Sequence, residues 1–263
     1  MAVTDEGREL TAAHKRRQVM LGGQVELEVG ATWRLLDLDA LDASAPAWLS
    51  VQVGRLRGRY ATSRSLAERY VTDYRAVELG SRAGPLVLPT FEDAAAARML
   101  LANGPRLTKL LIGRGTDPVE AFATARRTVA GQAQKWALGG GRGLLTATAQ
   151  ADRRAVYRRV SDGNPCAFCA MLVARSIESP NAARAGFKAH AGCGCTGELR
   201  YEDQDTYTDV EAEFVDAYRQ AAAQARAAGE PVVAPSGRRR RDTVLWRMRR
   251  NRPDLFSDGV HTH

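Results

Sequence analysis

The sequence is poor in aromatic residues, poor in lysine and, outside one short stretch, free of cysteine. Aromatic residues make up 6% of the 263 positions, whereas alanine, leucine and arginine dominate. Because sandwiches and barrels rely on aromatic and β-branched residues, and alanine and leucine are strong helix formers, this composition predicts a mostly α-helical fold with a small irregular lobe around the cysteines. The length is ample for a hydrophobic core.

Long apolar runs are also missing. No stretch approaches the roughly 20 apolar residues needed to cross a bilayer. Acidic residues lie within the first ten positions, where a signal peptide needs an apolar run. We therefore expect no membrane partner and a protein that is made and first used in a reducing cytosol.

Helical periodicity runs through most of the chain. Helices are expected at about 7–20, 33–58, 62–78, 91–102, 118–138, 143–160, 208–229 and after Asp242. Thr90 and Asp117 are predicted N-caps, and Pro118 suits a first helical position. The glycine run 139–143 lacks the Lys-Ser/Thr pair of a phosphate loop, since two leucines follow it, and is interpreted as a helix end and flexible joint.

The four cysteines lie within thirty residues, and their spacing is typical of a metal site. The pattern is Cys166-x2-Cys169, twenty residues, then His190-x2-Cys193-x-Cys195. Zinc takes four such donors in a tetrahedron, and a pair separated by two residues presents both sulfurs to one ion. We therefore predict one structural zinc ion held by four of these five residues, with Cys193 and Cys195 as alternatives for the fourth place beside Cys166, Cys169 and His190. Such a site has no open position for a catalytic water.

Other uses of these cysteines fit less well. A disulfide framework is unusual without a secretory signal, and a thioredoxin-type pair needs a βαβ setting. A Cys–His nucleophile pair would not require four neighbouring thiols. A zinc deaminase shares the P-C-x-x-C element but also needs an upstream H-x-E, and the upstream His14 is followed by Lys15 and Arg16.

The C-terminal tail is rich in arginine. From position 238 onward there are eight arginines against three aspartates. Such a tail can contact DNA phosphates without sequence preference, or dock on a partner through a short helix with Val244, Leu245 and Met248 on one side. The candidate nucleic-acid or partner-binding residues are Arg238, Arg239, Arg240, Arg241, Trp246, Arg247, Arg249 and Arg250.

Two segments carry a family resemblance. "VYRRVSDGNPCAFCAML" and "GFKAHAGCGCTGEL", after a helical N-terminal half, resemble the Mu F-like minor head proteins of tailed bacteriophages, and most of all those of phages that infect actinobacteria. The family's usual proline and arginine are replaced here by Ala191 and Gly194, but every donor is kept.

The resemblance implies a structural minor capsid protein of head morphogenesis. Such proteins associate with the portal protein, the major capsid protein or the head interior, after assembly in the host cytoplasm. Two alternatives stay open: a DNA-binding packaging or ejection protein acting through its basic tail on packaged double-stranded DNA, and a capsid maturation protease. For the protease we find no Ser-His-Asp set, so we expect no enzyme activity.

On this basis the chain divides into five regions. They are a helical N-terminal region (1–104), a helical region leading into the zinc motif (105–160), a zinc-binding lobe (161–201), a helix (202–230), and a linker with the arginine-rich tail (231–263).

Overall fold

The computed structural model describes residues 4–152, 154–178, 189–201, 208–230, 232 and 243–258, with backbone alone at 176–178 and 243. The fold is mostly α-helical, as the composition predicts. The helices are α1 (Asp5–Trp33), α2 (Leu41–Leu79), α3 (Asp93–Asn103), α4 (Pro105–Gly113), α5 (Pro118–Ala151), α6 (Ala167–Glu178), α7 (Asp209–Ala227) and α8 (Thr243–Asn251). Two strands, β1 (Val156–Val160) and β2 (Thr196–Arg200), pair in antiparallel fashion. None of the helices described is both long and apolar enough to span a membrane.

The three long helices α1, α2 and α5 form the body of the protein. Their shared core contains Trp33, which meets Trp48 edge-on at 5.7 Å between ring centroids, and Val129 of α5. The predicted N-cap at Asp117 is confirmed, because its side chain accepts hydrogen bonds from the backbone N–H groups of Val119 and Glu120. Helices α3 and α4 close one side of this bundle.

Four predicted helix boundaries in the first half are wrong. The helix expected from about position 33 begins only at Leu41. Helix α1 continues to Trp33, and α2 runs unbroken through the break expected near position 60. There Tyr60 and Ser63 are buried, so packing against α5 keeps the helix intact. Thr90 is not an N-cap, since α3 begins at Asp93; instead the Thr90 carbonyl accepts a hydrogen bond of 3.0 Å from the Tyr60 hydroxyl.

The glycine run is neither a helix end nor a flexible joint, so the interpretation drawn from the sequence is wrong. Residues 139–143 lie inside the continuous helix α5. A Cβ atom at Gly140 would come well under 3.0 Å from the carbonyl oxygen of Tyr60, and one at Gly141 would come 2.9 Å from that of Ser63. The glycines therefore allow α2 and α5 to approach closely at the level of their backbones.

The helix predicted at 143–160 is also wrong in its second half. Helix α5 ends at Ala151, and "VYRRV" forms strand β1 instead, which fits its content of β-branched and aromatic residues. Tyr157 on β1 and Leu199 on β2 pack against Leu144 and Leu145 of α5. The strand pair therefore attaches the segments that flank the cysteines to the bundle.

A buried ion-pair network ties the strands to the C-terminal helices. Arg158 on β1 lies opposite Glu198 on β2, 2.9 Å from its carboxylate, and donates to Glu211 of α7 at 2.6 Å. The Arg158 and Glu198 side chains are only 2% and 1% exposed. Such a network is sensitive to the loss of one member, because the remaining charges stay buried.

Substitution of Arg158 by methionine is expected to destabilise the protein by about 3–5 kcal/mol, because two buried carboxylates lose their counter-charge. Chemical denaturation followed by circular dichroism measures the change. Arg154→Met is the matched control: Arg154 is exposed and pairs with Asp152, so its substitution should shift the unfolding midpoint very little. Equal effects of the two substitutions would contradict the assigned role of Arg158.

Helices α6, α7 and α8 form a C-terminal lobe with its own core. Val173 of α6, Phe214 of α7 and Met248 of α8 meet in it, together with Phe256 beyond α8. The predicted apolar side of the tail helix is confirmed, since Val244, Leu245 and Met248 are all buried. They pack within the same chain, however, so this side of α8 is not available to a partner.

Truncation after Glu230 is therefore expected to destabilise the C-terminal lobe by several kcal/mol, since each large apolar side chain removed from such a core contributes about 1.5–3 kcal/mol. Hydrogen exchange of α6 and α7 measures the loss. A truncation after Asp258 is the control. It keeps α8 and Phe256 in the lobe core and should leave the exchange of α6 and α7 unchanged. Wild-type protection of α6 in the shorter chain would show that the tail is dispensable.

Candidate metal centre

All five predicted metal donors come together in the fold, although two elements supply them. Cys166 precedes α6 and Cys169 lies in its first turn, whereas His190, Cys193 and Cys195 lie in the segment that leads into β2. We call these five residues the Cys/His cluster and residues 190–195 the donor loop. The four cysteines are free thiols, so the structure contains no disulfide among them.

The donor atoms lie in two overlapping groups of three, each compact enough to share one ion. The Nε2 atom of His190 lies 3.0 Å from the Cys166 sulfur and 3.2 Å from the Cys169 sulfur, and the sulfurs of Cys169 and Cys193 are 3.5 Å apart. The donor atoms form two groups within 4.8 Å, Cys166–Cys169–His190 and Cys169–Cys193–Cys195. Cys169 belongs to both groups and is therefore the centre of the cluster.

These spacings fit a tetrahedral ion. Bonds of about 2.3 Å to sulfur and 2.0–2.1 Å to nitrogen place two donors of a tetrahedron about 3.5–3.8 Å apart, and the observed distances lie at or slightly inside that range. The orientation of His190 also fits, because its Nδ1 atom lies 2.6 Å from the carbonyl oxygen of Ala191. An N–H at Nδ1 leaves the Nε2 lone pair directed at the cysteines, as in metal-bound histidines.

Two buried arginines surround the cluster, and sequence reasoning did not find them. Arg159 of β1 lies 3.7 Å from the Cys169 sulfur and 3.8 Å from the Cys193 sulfur. Arg142 of α5 donates to the backbone carbonyls of Cys193 and Cys195, the latter at 2.7 Å. Arginine stays charged in proteins, so the two guanidinium groups offset the negative charge of a zinc ion bound by three or four thiolates.

The electrostatics of the cluster favour the thiolate form at some positions. The hydrogen bond from Cys169 lowers the pKa of Cys166 to about 6. The same neighbour lowers the pKa of Cys193 well below its usual range, with Arg142 and Arg159 adding to the effect. In turn, these bonds raise the pKa of Cys169. Since the thiolate is the metal-binding form of cysteine, part of the cluster is ready to bind at neutral pH.

The donor loop is fixed to the bundle through its backbone. The N–H of Gly192 donates to the carbonyl of Gly131 in α5 at 3.0 Å. Gly192 has a φ of 73°, a conformation that favours glycine. A Cβ atom at Gly131 would lie 3.2 Å from the Gly192 nitrogen, so both glycines serve this close approach.

Ser257 and Asp258, which follow α8, hold the turn that carries Cys166. Asp258 accepts a hydrogen bond of 2.7 Å from the backbone N–H of Ala167, the first residue of α6, and pairs with Arg249 at 2.7 Å. The N–H of Ser257 donates to the carbonyl of Pro165 at 3.0 Å. The segment after α8 therefore positions the turn that carries Cys166, a role that the sequence did not reveal.

The candidate partner-binding residues of the tail are separated by the structure. Arg238, Arg239, Arg240 and Arg241 lie outside the described residues. Arg247 pairs with Glu230 at 3.0 Å and Arg249 with Asp258, while the Arg250 guanidinium lies 5.1 Å from the ring centre of Trp246. The arginines of α8 thus already have neighbours within the chain.

His14, the upstream histidine, has a packing role. It is buried on α1, its ring stacks on Tyr70 at 4.6 Å, and its Nε2 atom lies 3.3 Å from the Thr196 hydroxyl of β2. Burial, together with nearby Arg17, lowers its pKa to about 3, so the ring is neutral at physiological pH. Its contacts link α1 to the strand that follows the donor loop.

Fold and site together define a helical-bundle protein with an appended lobe built around a Cys/His cluster of metal-site type. The family model described as VG15 protein matches residues 7–225, which include the bundle, the strand pair and all five donors. The chain belongs to the VG15 protein family, a phage-related family of viral genes. No curated protein and no solved structure matches it.

Proposed function

We propose that this protein is a structural minor capsid protein of a tailed phage, acting in head morphogenesis at the portal or in the head interior. The observation that carries the proposal is the family match, because one phage-related family covers both the bundle and the Cys/His cluster. The resemblance of the cysteine segments to Mu F-like minor head proteins points to the same role. Assembly would take place in the host cytoplasm.

The cluster is proposed to hold one structural zinc ion. Sulfur and imidazole are donors that zinc prefers, and a site filled by four protein donors keeps no position for a reacting water. Cys169, Cys193 and Cys195 are buried, as expected for a closed site. The ion would join α6 to the donor loop and so fix the lobe on the bundle, while Arg142 and Arg159 offset its thiolate charge.

The role in the head is tested on virions. We expect quantitative mass spectrometry of purified particles to find the protein in far fewer copies than the major capsid protein. Cross-linking should join it to the portal or to the inner face of the capsid. A phage with a nonsense mutation in this gene should yield defective heads, restored by a plasmid copy. Absence of the protein from both procapsids and virions would refute the structural role.

Contact with packaged DNA is proposed for the arginine run 238–241. The arginines of α8 have partners within the chain, so the run is the better candidate. Replacing these four arginines with serine should weaken duplex binding and reduce its salt dependence, since each lost phosphate contact removes about 0.9 from the slope of log K against log salt. This variant keeps α8 in place, unlike a full tail deletion. Unchanged affinity would exclude the run as a DNA contact.

A further inference from the structure

Helix α1 has an apolar stripe that nothing in the described part of the chain covers. Met20 and Leu27 are 66% and 76% exposed, and they are seven residues apart, which places them two turns apart on one side of the helix. Gly23 and Gly30 lie on the same side, and a Cβ atom at either would meet nothing within 4 Å. Met20, Gly23, Leu27 and Gly30 are called the α1 stripe below.

The glycines make this stripe more than a pair of exposed apolar residues. Single exposed leucines are ordinary on protein surfaces. Glycine within an exposed helix, however, weakens it, and no contact within the described structure requires Gly23 or Gly30. Glycine does allow another helix to come close to the backbone. The stripe therefore has the form of a surface that receives a second helix between its two large side chains.

The charged residues beside the stripe indicate that the helix packed on it is a second copy of α1. Lys15, Arg16 and Arg17 precede Gly23, whereas Glu26 follows it, and none of the four has an ion-pair partner among the residues that the structure describes. An antiparallel copy of α1 would set the basic residues 15–17 of one helix near Glu26 of the other at both ends of the contact. A parallel copy would place like charges together. The charge pattern of α1 is thus complementary to itself in the antiparallel direction.

We propose that the α1 stripe is the interface of a homodimer, in which two copies of α1 pack antiparallel about a two-fold axis that passes between Met20 and Gly23. Met20 of each copy then lies over Gly23 of the other, and the two Leu27 side chains cover the ends of the contact. Glu26 of each copy faces the basic residues 15–17 of the other. Such an interface is self-complementary, as two-fold symmetry requires.

Analytical ultracentrifugation of the full chain tests the interface. The wild-type protein should form a dimer that dissociates on dilution, and Leu27→Lys should raise its dissociation constant at least about tenfold, as expected for an apolar anchor. Leu110→Lys is the matched control, because Leu110 is exposed on α4, away from the stripe. A wild-type protein that stays monomeric up to about 100 μM, or equal effects of the two lysines, would overturn the proposal.

Charge reversal tests the direction of packing. Glu26→Lys alone and Lys15→Glu with Arg16→Glu should each weaken the dimer, whereas the combination of all three should restore it. In a parallel dimer residue 26 would face its own copy, so the combination would restore nothing. Circular dichroism checks that each variant stays folded, which exposed positions on a helix allow. A combination that stays weaker than both parents would exclude the antiparallel arrangement.

Discussion

Replacement of Cys169 with serine is expected to remove zinc from the protein and to unfold the lobe around α6, while the bundle stays folded. Cys169 is the one donor that both groups share, so its loss leaves neither group complete. Structural zinc contributes about 10–16 kcal/mol to the folding of small metal-dependent domains. That contribution is comparable to the whole stability of a domain, which is about 5–15 kcal/mol. Elemental analysis and hydrogen exchange of α6 measure the two effects.

A chelator provides the control for this variant. Removal of metal from the wild-type protein should reproduce the exchange pattern of Cys169→Ser and should change the variant itself no further. Single substitution of the other donors (Cys166→Ser, His190→Ala, Cys193→Ser and Cys195→Ser) then identifies the fifth residue, because the substitution that spares the ligand set keeps zinc bound. An unchanged metal content and melting curve in Cys169→Ser would show that the Cys/His cluster does not hold a structural zinc ion.

Substitution of Gly140 by alanine is expected to destabilise the bundle, although alanine is the better helix former. The added Cβ would overlap the carbonyl oxygen of Tyr60, which belongs to a packed backbone and cannot move aside. Overpacking of this kind costs about 1–3 kcal/mol or more, against a gain in helix propensity of about 1 kcal/mol. A lower urea midpoint by circular dichroism is the expected result.

The neighbouring glycine is the matched control. A Cβ atom at Gly139 would lie 3.7 Å from the nearest atom of the Tyr60 ring, an ordinary contact. Gly139→Ala should therefore be neutral or stabilising by up to about 1 kcal/mol. If the two alanines shifted the midpoint in the same direction, close packing of α2 on α5 would not be the reason for the glycine run.

The sequence predicted the features that depend on local spacing. Five donors at fixed intervals indicated the cluster, and the Asp117–Pro118 pair located the start of α5. Prediction from the sequence was wrong where contacts between residues distant in the chain determine the local conformation. Gly140 is a helix breaker by propensity, and only the approach of Tyr60 explains its place inside a helix. Strand β1 pairs with residues about forty positions away, so its five residues carried too little periodicity to separate it from the preceding helix.

The two arginines beside the Cys/His cluster could not be identified from the sequence either. Arg142 lies within the glycine run and Arg159 within a basic strand, and neither position differs in sequence from the many exposed arginines of this chain. Their role follows from burial beside Cys193. Likewise, the apolar side of α8 was predicted correctly, but its partner is the chain's own lobe, because α6 and α7 leave an apolar face that the tail covers.

The proposed zinc ion joins α6 to the donor loop. Elemental analysis of the wild-type protein, purified without added metal, tests this most directly. We expect one equivalent of zinc per chain, with at least three of the four thiols unreactive until the metal is removed. A folded, metal-free protein with four freely titratable thiols would contradict it.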